Sequence, residues 1–150
     1  MVKETVLSVL KEIRDYLKPQ SVVITSTLRS KDGRFVRNSD STVTDTQEKL
    51  IWYPTLSKKL TWAEANEECK KMGCRLPTRK ELESLLDITK YNPAIDKEIF
   101  PDTKTDDYYW TGDSCAWVSG YASCVRFYFG VVDVGLKGSL SYVRPVRSSQ

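Results

Sequence analysis

Histidine is absent from this chain of 150 residues. Its absence removes the commonest general base and metal ligand, the Ser-His and Cys-His nucleophile pairs, and any imidazole pH switch. No apolar run approaches the roughly 18 residues that cross a bilayer. The opening MVKETVLSVLKEIRDYLKPQ carries charges where a signal peptide has an apolar centre. Membrane insertion and a leader peptide are therefore not expected. Cysteine is scarce, and Cys69, Cys74, Cys115 and Cys124 make neither a CxxC pair nor a zinc-ribbon spacing. No metal or other cofactor is expected. A buried thiol is the plain reading for Cys69 and Cys74, and a disulfide is the alternative. Nor does one sign of charge dominate: 23 Lys and Arg stand against 20 Asp and Glu, spread along the chain, with no basic stripe to neutralise phosphates. Nucleic acid is not an expected partner.

What is present is ample apolar material. With 40% hydrophobic and 11% aromatic residues, the chain can bury about two-thirds of its unfolded surface in one compact domain. Residues 1–19 read as an amphipathic helix, with Val6, Val9, Leu10, Ile13 and Leu17 on one face and Pro19 as the stop. A helix this short is marginal alone. It is expected to pack on its own domain, with self-association of copies as the alternative. Residues 20–150 form the domain. VVITSTL, FVR, TVT and LIWYP are short β-branched and aromatic runs separated by KDG and NSDS turns. Two helices follow with matching starts: Thr61 with Glu64, and Thr78 with Glu81, have the capping-box spacing. From Tyr108 onward, aromatic and β-branched residues return without a helical period, which predicts strands joined by loops.

The C-terminal part has a different composition. Lys, Glu, Gln, Met and Trp occupy 29 of the first 110 positions, but only Trp117 and Lys137 among residues 111–149, where the earlier frequency predicts about ten. Strand propensity disfavours Lys and Glu, yet it does not explain the loss of Trp and Met. These five are the amino acids that no codon ending in a pyrimidine encodes. The residues that fill the segment, such as Gly, Asp, Ser, Val, Tyr, Phe and Leu, can all be so encoded. That is the set expected when Asn-type codons are randomised at their first two bases, and it explains why FYFGVVDVGLKGSLSYVRPVR (127–147) shows no alternation of polar and apolar residues.

The ordered motifs TVTDTQEKLIWYP (42–54), LTWAEANEECKKMGCRLPTRKELESLL (60–86), NPAIDKEIFPDT (92–103), YYWTG (108–112), AW (116–117) and YVRPVR (142–147) resemble C-type-lectin-like domains, in the branch related to formylglycine-generating enzyme. The subset most similar is the variable proteins of diversity-generating retroelements, whose C-terminal segment is rewritten by adenine-directed mutagenesis. The resemblance spans about residues 35–147. It implies an α+β, C-type-lectin-like fold with two helices, short antiparallel strands, paired N- and C-terminal strands and a long-loop binding face, here preceded by the N-terminal helix. It implies a variable region at about 108–141. Fixed positions would be Trp110, Ala116, Trp117, Val125, Phe127, Gly130, Val132, Lys137, Tyr142, Val143 and Arg144. Variable, ligand-binding positions would be Gly112, Asp113, Val118, Gly120, Tyr121, Ser123, Tyr128, Phe129, Val131, Asp133, Gly135, Leu136, Gly138, Ser139, Leu140 and Ser141.

The chemistry of those residues agrees with recognition, since Tyr and Phe supply contact area at low entropic cost while Ser and Gly adapt. The function expected is a non-enzymatic display protein that binds a protein or cell-surface ligand, such as a host receptor, from a virion or cell surface. Two alternatives stand beside it. A calcium-dependent lectin needs clustered carboxylates, and the C-terminal part offers Asp113 and Asp133. An oxidase like the formylglycine-generating enzyme needs a reactive cysteine pair in the C-terminal half, whereas the close pair here, Cys69 and Cys74, lies around the first domain helix. The neighbouring Asp106 and Asp107 read as a solvated loop rather than an acid/base dyad.

Overall fold

The computed structural model describes residues 2–17 and 27–150. Pro19 and most of the expected first strand, VVITSTL, lie outside the described residues. Helix α1 (Val2–Tyr16) forms where the 3.6-residue period places it. The expectation that it packs on its own domain is not met: Val6, Val9, Leu10 and Ile13 are exposed, and none of them belongs to either hydrophobic cluster. Among the described residues both clusters are filled from residues beyond Arg34.

Strands β1 (Leu28–Arg29), β2 (Phe35–Arg37), β3 (Val43–Asp45), β4 (Leu50–Trp52) and β8 (Val146–Ser148) make one antiparallel sheet in the order β1-β2-β3-β4-β8. The last strand thus pairs with β4 and not with the first strand, which sits at the far edge. Strands β5 (Tyr109–Ser114), β6 (Tyr121–Arg126) and β7 (Val131–Leu136) make a second antiparallel sheet with β6 in its centre. Helices α2 (Trp62–Lys71) and α3 (Arg79–Glu83) lie between the two sheets in sequence. Each begins with the expected reciprocal cap. The Glu64 N–H donates to Thr61 Oγ1 at 3.3 Å, and the Thr61 N–H donates to Glu64 Oε2 at 3.0 Å. Thr78 and Glu81 repeat the pattern at 3.2 and 2.7 Å. Gly73, at φ +70°, takes the left-handed turn after α2 that a Cβ would oppose.

The larger cluster joins the sheets through Trp52, Leu82, Ile95, Ile99, Phe100, Tyr109 and Phe127, and the second gathers Ala65, Cys69, Leu76, Trp110, Ala122 and Val143. A charge sits among these rings. The Arg144 side chain is 2% exposed. It donates to the Tyr53 carbonyl at 3.1 Å, to Asp102 Oδ1 at 3.1 Å and to Thr103 Oγ1 at 3.0 Å. Its guanidinium lies 5.2 Å from the Phe100 ring centre and 5.9 Å from that of Tyr109. Asp102 in turn accepts the Thr55 N–H at 2.6 Å. Burial works to raise the Asp102 pKa, but the Arg144 charge and the Thr55 N–H outweigh it and hold the carboxyl below its ordinary value. A fully buried acid, Asp45, takes a two-point contact from Arg34 at 3.0 and 2.6 Å and caps the turn into β4.

Asp102→Asn is expected to lower stability by about 3–5 kcal/mol, toward the smaller value because Asp102 itself is partly open to solvent, since it leaves the buried guanidinium uncompensated. The depressed carboxyl stabilises the fold above its unfolded pKa of about 3.9 and loses that effect as pH falls through its lower folded value. Denaturant unfolding of Asp102→Asn should therefore show the deficit at neutral pH and a shallower acid limb than the parent.

Candidate functional site: the sheet and turns of residues 108–141

The second sheet is covered on both faces at its middle strand and opens toward solvent along β7 and at its turns. Its middle strand is almost wholly buried from Ala122 to Val125. Tyr109 pairs with Val125 and Trp110 with Cys124, after which a bulge shifts the register before Ser114 meets Ala122. The bulge turns residues 111–113 toward the helices. The Gly112 N–H donates to the Pro77 carbonyl at 2.8 Å, and Asp113 Oδ2 accepts the Arg79 N–H at 2.7 Å, at the start of α3. Thr111 Oγ1 and Ser123 Oγ share a hydrogen bond in the interior, and Thr111 Oγ1 also donates to the Ser123 carbonyl at 3.0 Å.

Lys137 fastens the other end of the segment. Its Nζ lies 4.3 Å from the Trp62 ring centre and donates to Ser114 Oγ at 2.7 Å, while its carbonyl accepts the Trp62 N–H at 3.0 Å. Leu60 and Ser141 exchange backbone bonds at 2.9 and 3.0 Å. Below the segment, Asp106 accepts the Tyr142 hydroxyl at 3.1 Å and Asp107 pairs with Lys59 at 2.9 Å, so these neighbouring acids hold two different elements and do not face each other as a dyad. Burial raises the Tyr142 pKa, and the nearby Asp106 carboxylate adds to the effect.

On this frame the expected ligand-binding positions divide. Gly112, Asp113, Val118, Gly120, Phe129, Val131, Asp133, Leu136, Gly138, Ser139 and Leu140 are exposed, and Tyr121, Tyr128 and Gly135 are half-buried. Ser123 and Ser141 are buried, contrary to expectation: the first closes the Thr111 hydrogen bond and the second pairs with Leu60. Among the expected fixed positions, Trp110, Val125, Phe127, Val143 and Arg144 are core. Trp117 is not: it is 79% exposed, and Ala116 beside it is exposed too, because both stand in the turn between β5 and β6.

Phe129 is at the centre of an aromatic group. Tyr128 meets it edge-on at 4.3 Å, and Tyr91 stacks on its other side at 6.4 Å. The Arg126 guanidinium lies 6.0 Å from the Tyr128 ring centre and 5.8 Å from that of Tyr108. Tyr91 was not among the expected site residues. It arrives through a backbone latch in which Asn92 and Ala94 donate to the carbonyls of Tyr128 and Phe127, each at 2.7 Å. No local pattern around Tyr91 signals this contact. All four cysteines are free thiols. Burial pushes the thiols of Cys69 and Cys124 up to about 12, so they stay protonated and unreactive at neutral pH. A separate hollow of about 210 Å³ opens beside Arg144, lined also by Arg37, Val43, Pro54, Phe100 and Asp102, and takes no residue from 108–141.

The sequence profile described as the Lcl C-terminal domain matches residues 41–147. The chain belongs to the Lcl C-terminal domain family. This is the C-type-lectin-like variable domain of diversity-generating retroelement proteins, and the α+β body with two antiparallel sheets agrees with that fold. No curated protein matches the chain in sequence. In this Lcl C-terminal domain the match begins just before β3 and ends within β8, so it takes in both capped helices, the whole second sheet and the buried Arg144. Among the described residues no helix is long and apolar enough to cross a membrane.

The division between frame and face yields a stability test. A Cβ on Gly135 would stand 3.3 Å from the fully buried Trp110 ring, whereas one on Gly138 meets nothing within 4 Å. Gly135→Val is expected to cost about 1–3 kcal/mol by overpacking, and Gly138→Val well under that. Phe127→Ala should cost about 3–5 kcal/mol, while Trp117→Ala, on the surface, should stay within about 0.5 kcal/mol. Thermal or denaturant unfolding of the four variants checks the ranking.

Proposed function

We propose that this domain is a display module whose exposed residues between Gly112 and Leu140 recognise a protein ligand, such as a host receptor, at a virion or cell surface, without catalysing a reaction. The observation that carries the reading is a coincidence of position. The segment with the pyrimidine-codon residue set is also where Phe129, Val131, Leu136 and Leu140 stand in solvent along β7 and its flanking turns, beside a middle strand that is buried. Exposed apolar groups gathered in one place usually mark a contact surface. Tyr and Phe mounted on a rigid strand frame suit recognition, because little freedom is lost on binding.

Other features support the same reading over its competitors. Asp113 is engaged by the Arg79 N–H and Asp133 by the Val134 N–H, and among the described residues no three metal-binding side chains converge. That donor set suits a calcium-dependent lectin poorly. The buried, protonated thiols suit a thiol-based oxidase poorly. The uncovered apolar face of α1 supports a second proposal, that copies of the chain associate through this helix.

Replacing Tyr121, Tyr128 and Phe129 together by serine is expected to abolish binding to the native ligand, because aromatic anchors carry most of the energy of such interfaces. The variant should keep its melting temperature to within a few degrees, since none of the three is buried in the core. Binding that survives the change, or a protein that unfolds with it, counts against the proposal. Added chelator should leave the melting temperature unchanged; a fall would indicate a metal bound to the native state.

A further inference from the structure

The second sheet ends on β7, and among the described residues the outer side of this strand has no neighbouring strand. Its inner side is defined by register. The Lys137 N–H donates to the Gly120 carbonyl at 2.9 Å, and this pair continues the alignment in which Tyr121 faces Leu136 and Ala122 faces Gly135. Opposed residues in an antiparallel ladder alternate between those that exchange hydrogen bonds and those that do not. Val131, Asp133 and Gly135 therefore bond inward to β6, and the main-chain groups of Val132, Val134 and Leu136 point outward. Among the described residues no hydrogen bond reaches the N–H or C=O of Val132, the C=O of Val134 or the N–H of Leu136. The Val134 N–H is taken by Asp133 Oδ1 at 2.8 Å, and the Leu136 carbonyl by the Ser139 N–H at 2.9 Å. The side chains of Val131, Val134 and Leu136 beside this edge are exposed.

Open main-chain donors and acceptors at two-residue spacing complement one kind of partner, an extended strand, because helices use their own groups internally. We propose that the protein ligand contributes an extended segment that pairs along the outer edge of β7 and adds a fourth strand to the sheet. This rests on the reading of residues 112–140 as the ligand face. A second copy of the chain fits the edge less well. Two β7 strands paired antiparallel about their middles would bring two Asp133 carboxylates together, and opposed like charges disfavour strand pairing. The pairing also suits a segment whose side chains change. Rewriting Val131, Asp133 or Leu136 alters what the side chains select but leaves the edge's donors and acceptors in place. The edge supplies the constant part of the affinity, and the aromatic and aliphatic side chains the part that differs between variants.

The test uses the full chain and linear peptides selected on it from a random display library. Each selected peptide is remade with a single N-methyl amide at every position in turn, and its dissociation constant is measured by fluorescence polarisation. Methylation at every second residue is expected to weaken binding about tenfold or more, with the residues between changing it by less than about threefold, because alternate amides of a paired strand face the ladder. Leu136→Pro deletes one outward N–H without touching the β6 ladder, and should weaken binding about tenfold more than Leu136→Ala. A methylation profile without the two-residue period overturns edge pairing. If those same peptides still fail on the triple serine variant, the ligand face stands and only the edge is lost; if they ignore both sets of changes, both readings fall. A concentration-dependent dimer dissolved by Leu136→Pro overturns the proposal in favour of a second copy. A selection that yields no linear binder overturns it as well.

Discussion

The buried guanidinium of Arg144 is the contact on which the arrangement of this domain turns. Burying an arginine is costly unless its charge is paired, and here the two terminal nitrogens reach the end of β4, the 102–103 turn and, through Asp102, the Thr55 amide, while Nε has no partner. Three segments distant in sequence are fixed by one side chain. The residue before it, Val143, fills the second hydrophobic cluster, and Val146 shortly after it fills the first. The strand pairing of β8 with β4 thus closes both clusters together.

This closure leaves the edge strand and turns of the second sheet free to differ because the middle of the sheet is so constrained. Trp110 packs one face of the sheet into the second cluster and Tyr109 with Phe127 packs the other into the first, the Thr111–Ser123 hydrogen bond ties β5 to β6 inside, and Lys137 clamps the exit against Trp62. None of these contacts uses the exposed side chains of Phe129, Val131, Leu136 or Leu140. Energies at sites without shared partners are close to additive, so a side chain can change on the face with little effect on the frame.

Much of this was legible in the sequence. The two capping boxes announced α2 and α3 because a helix start is a local chemical problem with a local solution. The altered composition after residue 110 marked the segment that carries the exposed apolar side chains of β7 and its turns. What failed was nonlocal. Trp117 reads as core by its chemistry, yet a turn carries it into solvent. Ser123 and Ser141 read as adaptable contact residues, yet partners at Thr111 and Leu60 bury them. Tyr91 was missed because only the latch from Asn92 and Ala94 to residues 127–128 brings it beside Phe129. The irregular patterning of β7 has its own physical source. Val132 leans on one cluster and Gly135 on the Trp110 ring of the other, so neither face of this twisted edge strand is wholly inside.

Cysteine is among the residues that a pyrimidine-ending codon can supply, and residues 111–149 hold two. Both Cys115 and Cys124 are buried, and Cys124 is held protonated by its surroundings. A thiol at Phe129, which is 63% exposed, would instead meet solvent, open to oxidation and to cross-linking between copies. A cysteine in this segment is therefore an inert packing atom or an intermolecular bridge, and the burial of the position decides which.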